Sequence, residues 1–363
     1  MRISSRSISH APTPKAGAQN ISQVEDFVLK QQQNYFDRWD LDHNGQISWS
    51  EMRQNVVDSQ IQGEESVSLA TLYGLMEHDA AYRGLQRKPP VTYNHLYDLY
   101  YDYDNPETGE LAADYFYLKY AGKLEEAGKE LFGESLPDGY AAKQGAAPSC
   151  GFLAATFATV WKEPAVAKKA IVLQEDGDYE VQFPGLPRPI EVAPPTDTER
   201  ALFSTAQQNG TWITVLEKAW GKHQAGGDEL RAFEMDTNPE DAIRAWTNGS
   251  AKTTRVAKNP KEYKKGEIPF SLKTAYRALA EDRTVVAWTR FEDVSSDDYV
   301  VGHAYTVTGI HPEEGSVSLR NPWGHQEPLG DDGKPLDKKD DGLFEISFQQ
   351  FHKNFKMVAR QTG

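Results

Sequence analysis

Hydrophobic residues in the first third of the chain recur at helical spacing, without the strict alternation that is typical of strands. One apolar stripe joins Ile21, Val24 and Phe27, and another runs through residues 69–76. This pattern predicts an all-α domain over residues 21–128.

The pattern changes near residue 130, and both helices and strands are predicted from there to the end of the chain. Helical spacing covers Cys150–Val160 and Trp212–Lys222, and it puts Glu217 and Lys218 on a solvated helix face. The polar, lysine-rich residues 249–267 are predicted to form a linker or an exposed loop. β-rich runs bounded by turn residues predict strands at Ile171–Leu173, Tyr179–Phe183, Val285–Thr289, Ala304–Thr308, Ser316–Leu319 and Phe344–Ser347.

Charge and length exclude several classes of protein. The chain has 363 residues, with 39 Lys or Arg against 54 Asp or Glu, which gives a net charge of −15. An acidic balance argues against a protein that follows nucleic-acid phosphates. No apolar run approaches the roughly 20 residues that a membrane-spanning helix needs. Because Cys150 is the one cysteine, an intrachain disulfide and a cysteine-based zinc or iron–sulfur site are excluded.

Residues 1–20 are rich in Ser, Ala and Pro and contain three basic residues and no acid. They lack the apolar segment of a secretory signal peptide. We therefore predict a disordered tail and a cytoplasmic protein, while a targeting or specialised-secretion leader stays open as an alternative.

A twelve-residue segment that starts at Asp40 follows the EF-hand calcium-loop pattern. Calcium takes about six to eight oxygen ligands, which such a loop supplies from carboxylates, an amide, a backbone carbonyl and a closing bidentate glutamate. Gly45 permits the sharp central turn, and Ile47 is expected in the short strand that pairs two such loops. The predicted Ca²⁺ ligands are Asp40, Asp42, Asn44, Gln46 (through its backbone carbonyl), Ser48 and Glu51.

A partner loop is expected because EF-hands usually pair. The best match is residues 102–111, followed by Asp114, which begins Asp-x-Asp and contains Gly-x-Leu. Two extra residues separate these parts, and no acid stands at the closing position. Two interpretations stay open: a degenerate partner without an ion, and an unrelated acidic turn.

The single cysteine stands where a nucleophile is expected. Gln144 precedes Cys150 by six residues, a glycine-containing loop leads in, and an apolar helix leads out. The positive end of a helix dipole stabilises a thiolate at the helix N-terminus. The backbone N–H of Cys150 and the side-chain amide of Gln144 can converge on a developing oxyanion.

A thiol nucleophile also needs a base and a group that orients it. His303 enters a predicted strand, and Asn321 follows eighteen residues later, after one strand and a turn. A hairpin would bring Asn321 beside His303, where its amide oxygen can accept the second ring N–H. Trp323 can then shield the pair from water, and His325 is the one plausible rival base.

These blocks resemble the calpain family of papain-like cysteine proteases. The cysteine block from Gln144, the Gly302-His303-Ala304-Tyr305 block and the Arg320-Asn321-Pro322-Trp323-Gly324 block stand in the family's order, and the resemblance covers about residues 140–360. It implies an α+β, papain-like protease domain over residues 129–363. A helical lobe at about 130–245 would hold Cys150, and a twisted antiparallel β lobe at about 268–360 would hold His303 and Asn321.

The same resemblance assigns roles to four residues. Cys150 would be the nucleophile, His303 the base, Asn321 the orienting residue and Gln144 the oxyanion donor, with a protein or peptide as substrate. A thiolate–imidazolium pair of Cys150 and His303 is the expected resting state. The predicted function is a calcium-binding cysteine endopeptidase, in which calcium either regulates activity or has a structural role.

Two residues beside the nucleophile depart from the family pattern, since Ser149 and Gly151 stand where the family has Asp and Trp. The acidic residues that bind calcium within the family's protease core do not map onto this chain. Two other functions therefore stay open. One is a different thioester-based acyl transfer, such as transamidation or deamidation; the other is an inactive calpain-like module that binds partners when calcium is present.

Overall fold

The computed structural model describes residues 21–85, 88–101, 112–258, 262–291, 299–330 and 332–363, with side chains from residue 29 onward. The predicted tail of residues 1–20 and the predicted partner loop of residues 102–111 lie outside this part of the chain. Among the described residues, no helix is both long enough and apolar enough to cross a membrane.

The N-terminal part is helical apart from two very short strands. Helix α3 is buried along most of its length, because small and apolar side chains cover all its faces. The elements are α1 Ile21–Trp39, β1 Gln46–Ile47, α2 Trp49–Val56, α3 Glu64–Tyr82, β2 Val91–Thr92, α4 Tyr93–Tyr101 and α5 Ala112–Glu126.

The strand that pairs with the predicted calcium loop lies earlier in the chain than expected. Ile47 of β1 is paired with Val91 of β2 in an antiparallel register. The strand that pairs with Ile47 therefore lies outside residues 102–111, and the interpretation of that segment stays a prediction. Residues 83–90, which precede β2, contain three basic residues and no acid. They therefore lack the acidic pattern by which a calcium loop is recognised in a sequence.

The next part of the chain combines helices with a small antiparallel sheet of order β3-β4-β5. The predicted hairpin forms, with Ile171 opposite Val181, and β5 adds a strand that the sequence pattern did not indicate. The elements are α6 Cys150–Lys162, α7 Ala165–Ala170, β3 Ile171–Leu173, β4 Tyr179–Val181, β5 Ile190–Val192, α8 Asp197–Leu202, α9 Trp212–Gln224 and α10 Pro239–Thr247, with 3₁₀ helices at Gln207–Asn209 and Glu229–Glu234.

The C-terminal part is a six-stranded antiparallel sheet of order β10-β9-β8-β7-β11-β6. Residues 249–267 were predicted as a linker or loop, but they begin with edge strand β6; charged side chains are common on such edges and hide the strand pattern. The elements are β6 Ala251–Arg255, α11 Lys273–Ala280, β7 Val285–Thr289, β8 Ala304–His311, β9 Ser316–Arg320, β10 Leu343–Ser347, α12 Phe348–Asn354 and β11 Phe355–Gln361, with a 3₁₀ helix at Phe270–Leu272.

Two hydrophobic cores support the region after residue 127. The first surrounds α6 and α9, where Phe152 stacks on Trp220 with ring centroids 5.2 Å apart. The second lies against the six-stranded sheet and includes Tyr305 and Phe355. The region therefore has the predicted α+β composition, with antiparallel sheets.

The chain divides into two compact units that do not follow a single cut. Unit 1 contains residues 1–127 and 195–203, and unit 2 contains residues 128–194 and 204–363. Helix α8 lies within the predicted protease domain of residues 129–363, and its contacts group it with unit 1. There the Thr196 hydroxyl donates to the backbone carbonyl of Val56 at 2.7 Å.

Candidate functional site

Cys150 is the first residue of helix α6, and only 8% of its surface is exposed. Burial is the main influence on the pKa of its thiol, and the nearby backbone N–H groups of Ala304, Gly151 and Cys150 itself act in the opposite direction. The sulfur therefore lies next to the residue that follows His303, at the point where the N-terminus of α6 meets the start of β8.

The β8–β9 hairpin brings His303 and Asn321 together, as the sequence suggested. His303 Nε2 and Asn321 Oδ1 are 2.9 Å apart. The Asn321 amide is held in one orientation, because its Nδ2 donates to the backbone carbonyls of His325 and Gln326 at 2.9 and 3.1 Å. Its Oδ1 also accepts the Trp323 N–H at 3.0 Å.

This fixed amide also sets the imidazole tautomer. Because Asn321 Oδ1 can only accept, the neutral ring of His303 carries its proton on Nε2, and Nδ1 keeps a lone pair. The Trp323 ring lies 4.9 Å from the His303 ring and covers it. His303 is therefore arranged as a base, and its Nδ1 is the atom that can accept a proton.

Gln144 lies beside the asparagine block through its backbone. Its N–H donates to the carbonyl of Pro322 at 2.9 Å. The side-chain Nε2 donates to the carbonyl of Ala147 at 2.8 Å, while Oε1 is buried without a hydrogen-bond partner. One N–H of the Nε2 group is therefore committed, and a second remains for an oxyanion.

Burial favours neutral forms of both the nucleophile and the base. Burial raises the pKa of the Cys150 thiol to about 11, although three backbone N–H groups oppose this, and the nearby Asp236 carboxylate adds to it. Burial also lowers the pKa of His303 to about 4, against the opposing effect of the Asn321 hydrogen bond. Burial thus moves both pKa values in the direction of a neutral thiol and a neutral imidazole, and the thiolate–imidazolium pair stays a prediction.

Packing explains why a glycine, Gly151, follows Cys150. A Cβ atom on Gly151 would stand 2.2 Å from the carbonyl oxygen of Thr237 and about 3 Å from the ring of Pro239. A tryptophan cannot occupy this position without displacing the segment that leads into α10. The departure of Gly151 from the family pattern therefore follows from the packing of residues 237–239.

Glu217 and Lys218 are buried at 2% and 1% exposure, so the predicted solvated helix face was wrong. The Glu217 carboxylate accepts a hydrogen bond from the Ser149 hydroxyl and another from the Ser204 N–H, the latter at 2.5 Å. Helix α9 is buried on all sides from Trp212 to Gly221. Periodicity consequently could not separate an inner face from an outer one.

Glu327 is a second residue that the sequence reasoning missed. Its Oε1 accepts the N–H groups of Asp341 and Gly342, and the Gly342 carbonyl in turn accepts the Asn321 N–H at 2.8 Å. Burial raises the pKa of Glu327 to about 7. A turn-rich sequence around this position offered no periodic signal for a buried acid.

The predicted calcium loop brings its carboxylates together. Oxygen atoms of Asp40, Asp42 and Glu51 lie within 4.8 Å of one another. The Asn44 side chain is 2.9 Å from an oxygen of Asp42, Gln46 lies in β1, and Ser48 is the N-cap of α2. Ser48 and Glu51 form a capping box at the start of α2: the Ser48 hydroxyl accepts the Glu51 N–H, and the Glu51 carboxylate accepts the Ser48 N–H.

The shape of the loop also fits a hard cation. Gly45 has a φ of 82°, a conformation that favours glycine, and its N–H donates to Asp40 at 2.7 Å. Asp42 is exposed, while Asp40 and Glu51 are buried. Three carboxylates this close repel one another unless a cation lies between them, so the donor set fits calcium.

Comparison with known proteins agrees with the geometry. A model of the calpain family cysteine proteases matches residues 138–360, more than half of the chain. Calpain-8 of Mus musculus is 29% identical over 196 residues, covering 45% of this chain and 26% of that protein. The calpain-2 catalytic subunit of Rattus norvegicus is 28% identical over 246 residues, covering 59% of this chain and 34% of that protein.

The chain spans about a quarter to a third of the length of these relatives. The matched region contains all four predicted active-site residues, Gln144, Cys150, His303 and Asn321. The resemblance inferred from the sequence motifs is thereby confirmed: this chain belongs to the calpain family of cysteine proteases.

Proposed function

We propose that this chain is an endopeptidase with a papain-like, two-lobed protease domain and a Cys150–His303–Asn321 triad. One observation carries the proposal. The Asn321 amide, held by the carbonyls of His325 and Gln326, leaves His303 with a free Nδ1, while the N–H of the next residue, Ala304, reaches the Cys150 thiol.

The chemistry follows from this arrangement. His303 Nδ1 takes the thiol proton as the Cys150 sulfur attacks the peptide carbonyl carbon, and the Cys150 N–H and Gln144 Nε2 donate to the oxyanion. The imidazolium then returns that proton to the departing amine, leaving a thioester. His303 next removes a proton from water, which hydrolyses the thioester and regenerates the thiol.

A cleavage assay tests this function. The chain is incubated with an unfolded protein substrate, and products are weighed by mass spectrometry beside a Cys150→Ala variant. Hydrolysis adds one water across the cut bond, whereas transamidation joins an amine and deamidation leaves the backbone whole. Cleavage that persists in Cys150→Ala would remove the proposed mechanism.

A peptide carrying a thiol-reactive electrophile separates an active protease from an inactive binding module. We expect covalent labelling at Cys150 and none in His303→Ala at the same pH, because no base then takes the thiol proton during the attack. Failure of the wild-type chain to react would favour the binding-module alternative.

We also propose that unit 1 is an EF-hand domain that binds Ca²⁺ through the loop Asp40–Glu51. The three converging carboxylates support this assignment. The six predicted ligands would hold the ion, with Glu51 closing the site bidentately. Isothermal titration with CaCl₂ should show one site, lost in Asp40→Asn. Equal protease activity in calcium and in chelator would rule out a regulatory role but leave binding intact.

A further inference from the structure

Residues 140–144 are the segment that carries Gln144, the proposed oxyanion donor. The end of this segment is anchored on two sides. Lys143 exchanges two backbone hydrogen bonds with Thr205, at 2.7 and 2.9 Å, and the Gln144 N–H donates to the Pro322 carbonyl at 2.9 Å. Neighbouring residues of an extended chain direct their backbone groups to opposite sides. The position of Gln144 is therefore set by what binds this segment from each side.

Arg320, the last residue of β9, binds the earlier part of the same segment. Its Nη2 donates to the backbone carbonyls of Tyr140 and Ala142, at 3.1 and 2.7 Å. Its Nε and Nη1 are buried, and neither has a hydrogen-bond partner within the part of the chain that the structure describes. The guanidinium thus directs the hydrogen bonds that it makes there to residues 140–142.

The guanidinium of Arg320 is itself held in a fixed place. The residue is 2% exposed, and its head lies over the ring of Phe157, 4.3 Å from the ring centroid. Phe157 belongs to α6, the helix that begins at Cys150. Burial lowers the pKa of Arg320 to about 10, so the head keeps its positive charge at neutral pH. Because a charged donor binds carbonyls more strongly than a neutral one does, Arg320 is a firm anchor for residues 140–142.

We propose that Arg320 is a positioning residue, which holds residues 140–142 and so places the Gln144 side chain to donate to the oxyanion. Its neighbour Asn321 orients the proposed base, so the short stretch 320–322 would place the base as well as the oxyanion donor. The inference rests on the proposed protease function, because an oxyanion forms only when a nucleophile attacks a carbonyl.

A double-mutant cycle on peptide cleavage tests this role. Arg320→Met keeps an unbranched side chain over Phe157 but removes both hydrogen bonds. We expect kcat to fall by about tenfold with KM nearly unchanged, because the oxyanion is absent from the bound substrate. In the Gln144→Ala background the same change should alter kcat by less than about twofold, since the donor that Arg320 places is already gone. An equal loss in both backgrounds would overturn the proposal.

Alkylation of Cys150 by iodoacetamide separates the oxyanion donor from the base. This reaction displaces iodide and forms no oxyanion, so Arg320→Met should be alkylated at the wild-type rate across pH. A slower reaction or a shifted pH profile would show that Arg320 acts through His303 instead. Arg360→Met, which removes another partly buried arginine of the same sheet, is the stability control and should keep the wild-type kcat.

Hydrogen–deuterium exchange measures the placement of the segment without any need for cleavage. Arg320→Met should speed exchange of the Lys143 and Gln144 amides by about tenfold, because the segment then opens locally more often. Exchange within β8 should stay as in the wild type. Unchanged exchange of the two amides in a folded Arg320→Met would overturn the proposal.

Arg320→Lys decides the question if Arg320→Met does not fold. A lysine retains the charge without the planar guanidinium, so the proposal expects the same local rise in exchange at a smaller size, and no rise contradicts it. A chain that cleaves no peptide and still shows the local rise in exchange would refute the proposed protease function alone.

Discussion

The proposed active-site residues and the proposed calcium loop handle charge in opposite ways. Cys150, His303 and Asn321 are exposed by 8%, 4% and 0% and are held by backbone N–H and carbonyl groups. In the calcium loop, Asp42 is exposed, and nearby amides of the same loop supply the bonds to its carboxylates. Burial disfavours the charged forms of the thiol and the imidazole at the first site, whereas the second brings three carboxylates together, two of them buried, in an arrangement that a cation would stabilise.

The largest expected effect comes from Asn321→Ala. Without its amide, the His303 ring loses its tautomer and its orientation, and peptide cleavage should fall by roughly 100-fold or more. Asn354→Ala, which removes another buried asparagine of the same unit, is the matched control for stability. Similar rate losses in the two variants would show that packing, rather than orientation of the base, sets the rate.

Glu51→Gln should weaken Ca²⁺ binding by about tenfold or more, because the closing carboxylate loses its charge and one of its ligand oxygens. Titration calorimetry measures the affinity, and the calcium-dependent rise in melting temperature gives a second readout. Glu64→Gln changes an exposed glutamate outside the loop and should bind normally. Equal affinity in Glu51→Gln would place the ion elsewhere.

Glu327 extends the buried region behind Asn321 and gives a pH dependence. Its folded pKa of about 7 lies above the ordinary 4.5, so the folded state favours the protonated acid. Its contribution to stability is complete below about pH 4.5 and is lost as the pH rises through about 7. Urea unfolding of the wild-type chain should show this slope, and Glu327→Gln should remove it. Parallel curves would contradict the assignment.

The smallest effect is expected at Asp236, whose exposed carboxylate raises the pKa of the Cys150 thiol. Asp236→Asn should move the pH profile of Cys150 alkylation to lower pH, so that the rate at a fixed pH rises by about a few-fold. High salt should shrink this difference between variant and wild type, because salt screens exposed charges. Asp176→Asn, another exposed acid of unit 2, is the control. A profile that moves upward would reverse the sign of this interaction.

Local sequence patterns predicted the residues of the proposed triad but not the residues and strands that pack around them. Cys150, His303 and Asn321 stand in short motifs, and the strands around them alternate visibly. Glu217 lies on a helix buried on every side, β6 carries lysine and arginine on a sheet edge, and β2 follows a loop without acids. These features depend on what packs against each segment, and the local sequence does not show which segments pack together.

The hydrogen bonds of helix α8 determine how this chain can be truncated. Its hydrogen bonds go to unit 1, where Lys123 donates to the Ala201 carbonyl and the Gly63 N–H donates to Asp197. A nick between Ala127 and Gly128 should therefore leave two fragments that co-elute, since α8 remains embedded in the first. A recombinant chain that begins at residue 129 would contain α8 without the residues of unit 1 that bind it. It should aggregate unless residues 21–127 are supplied in trans.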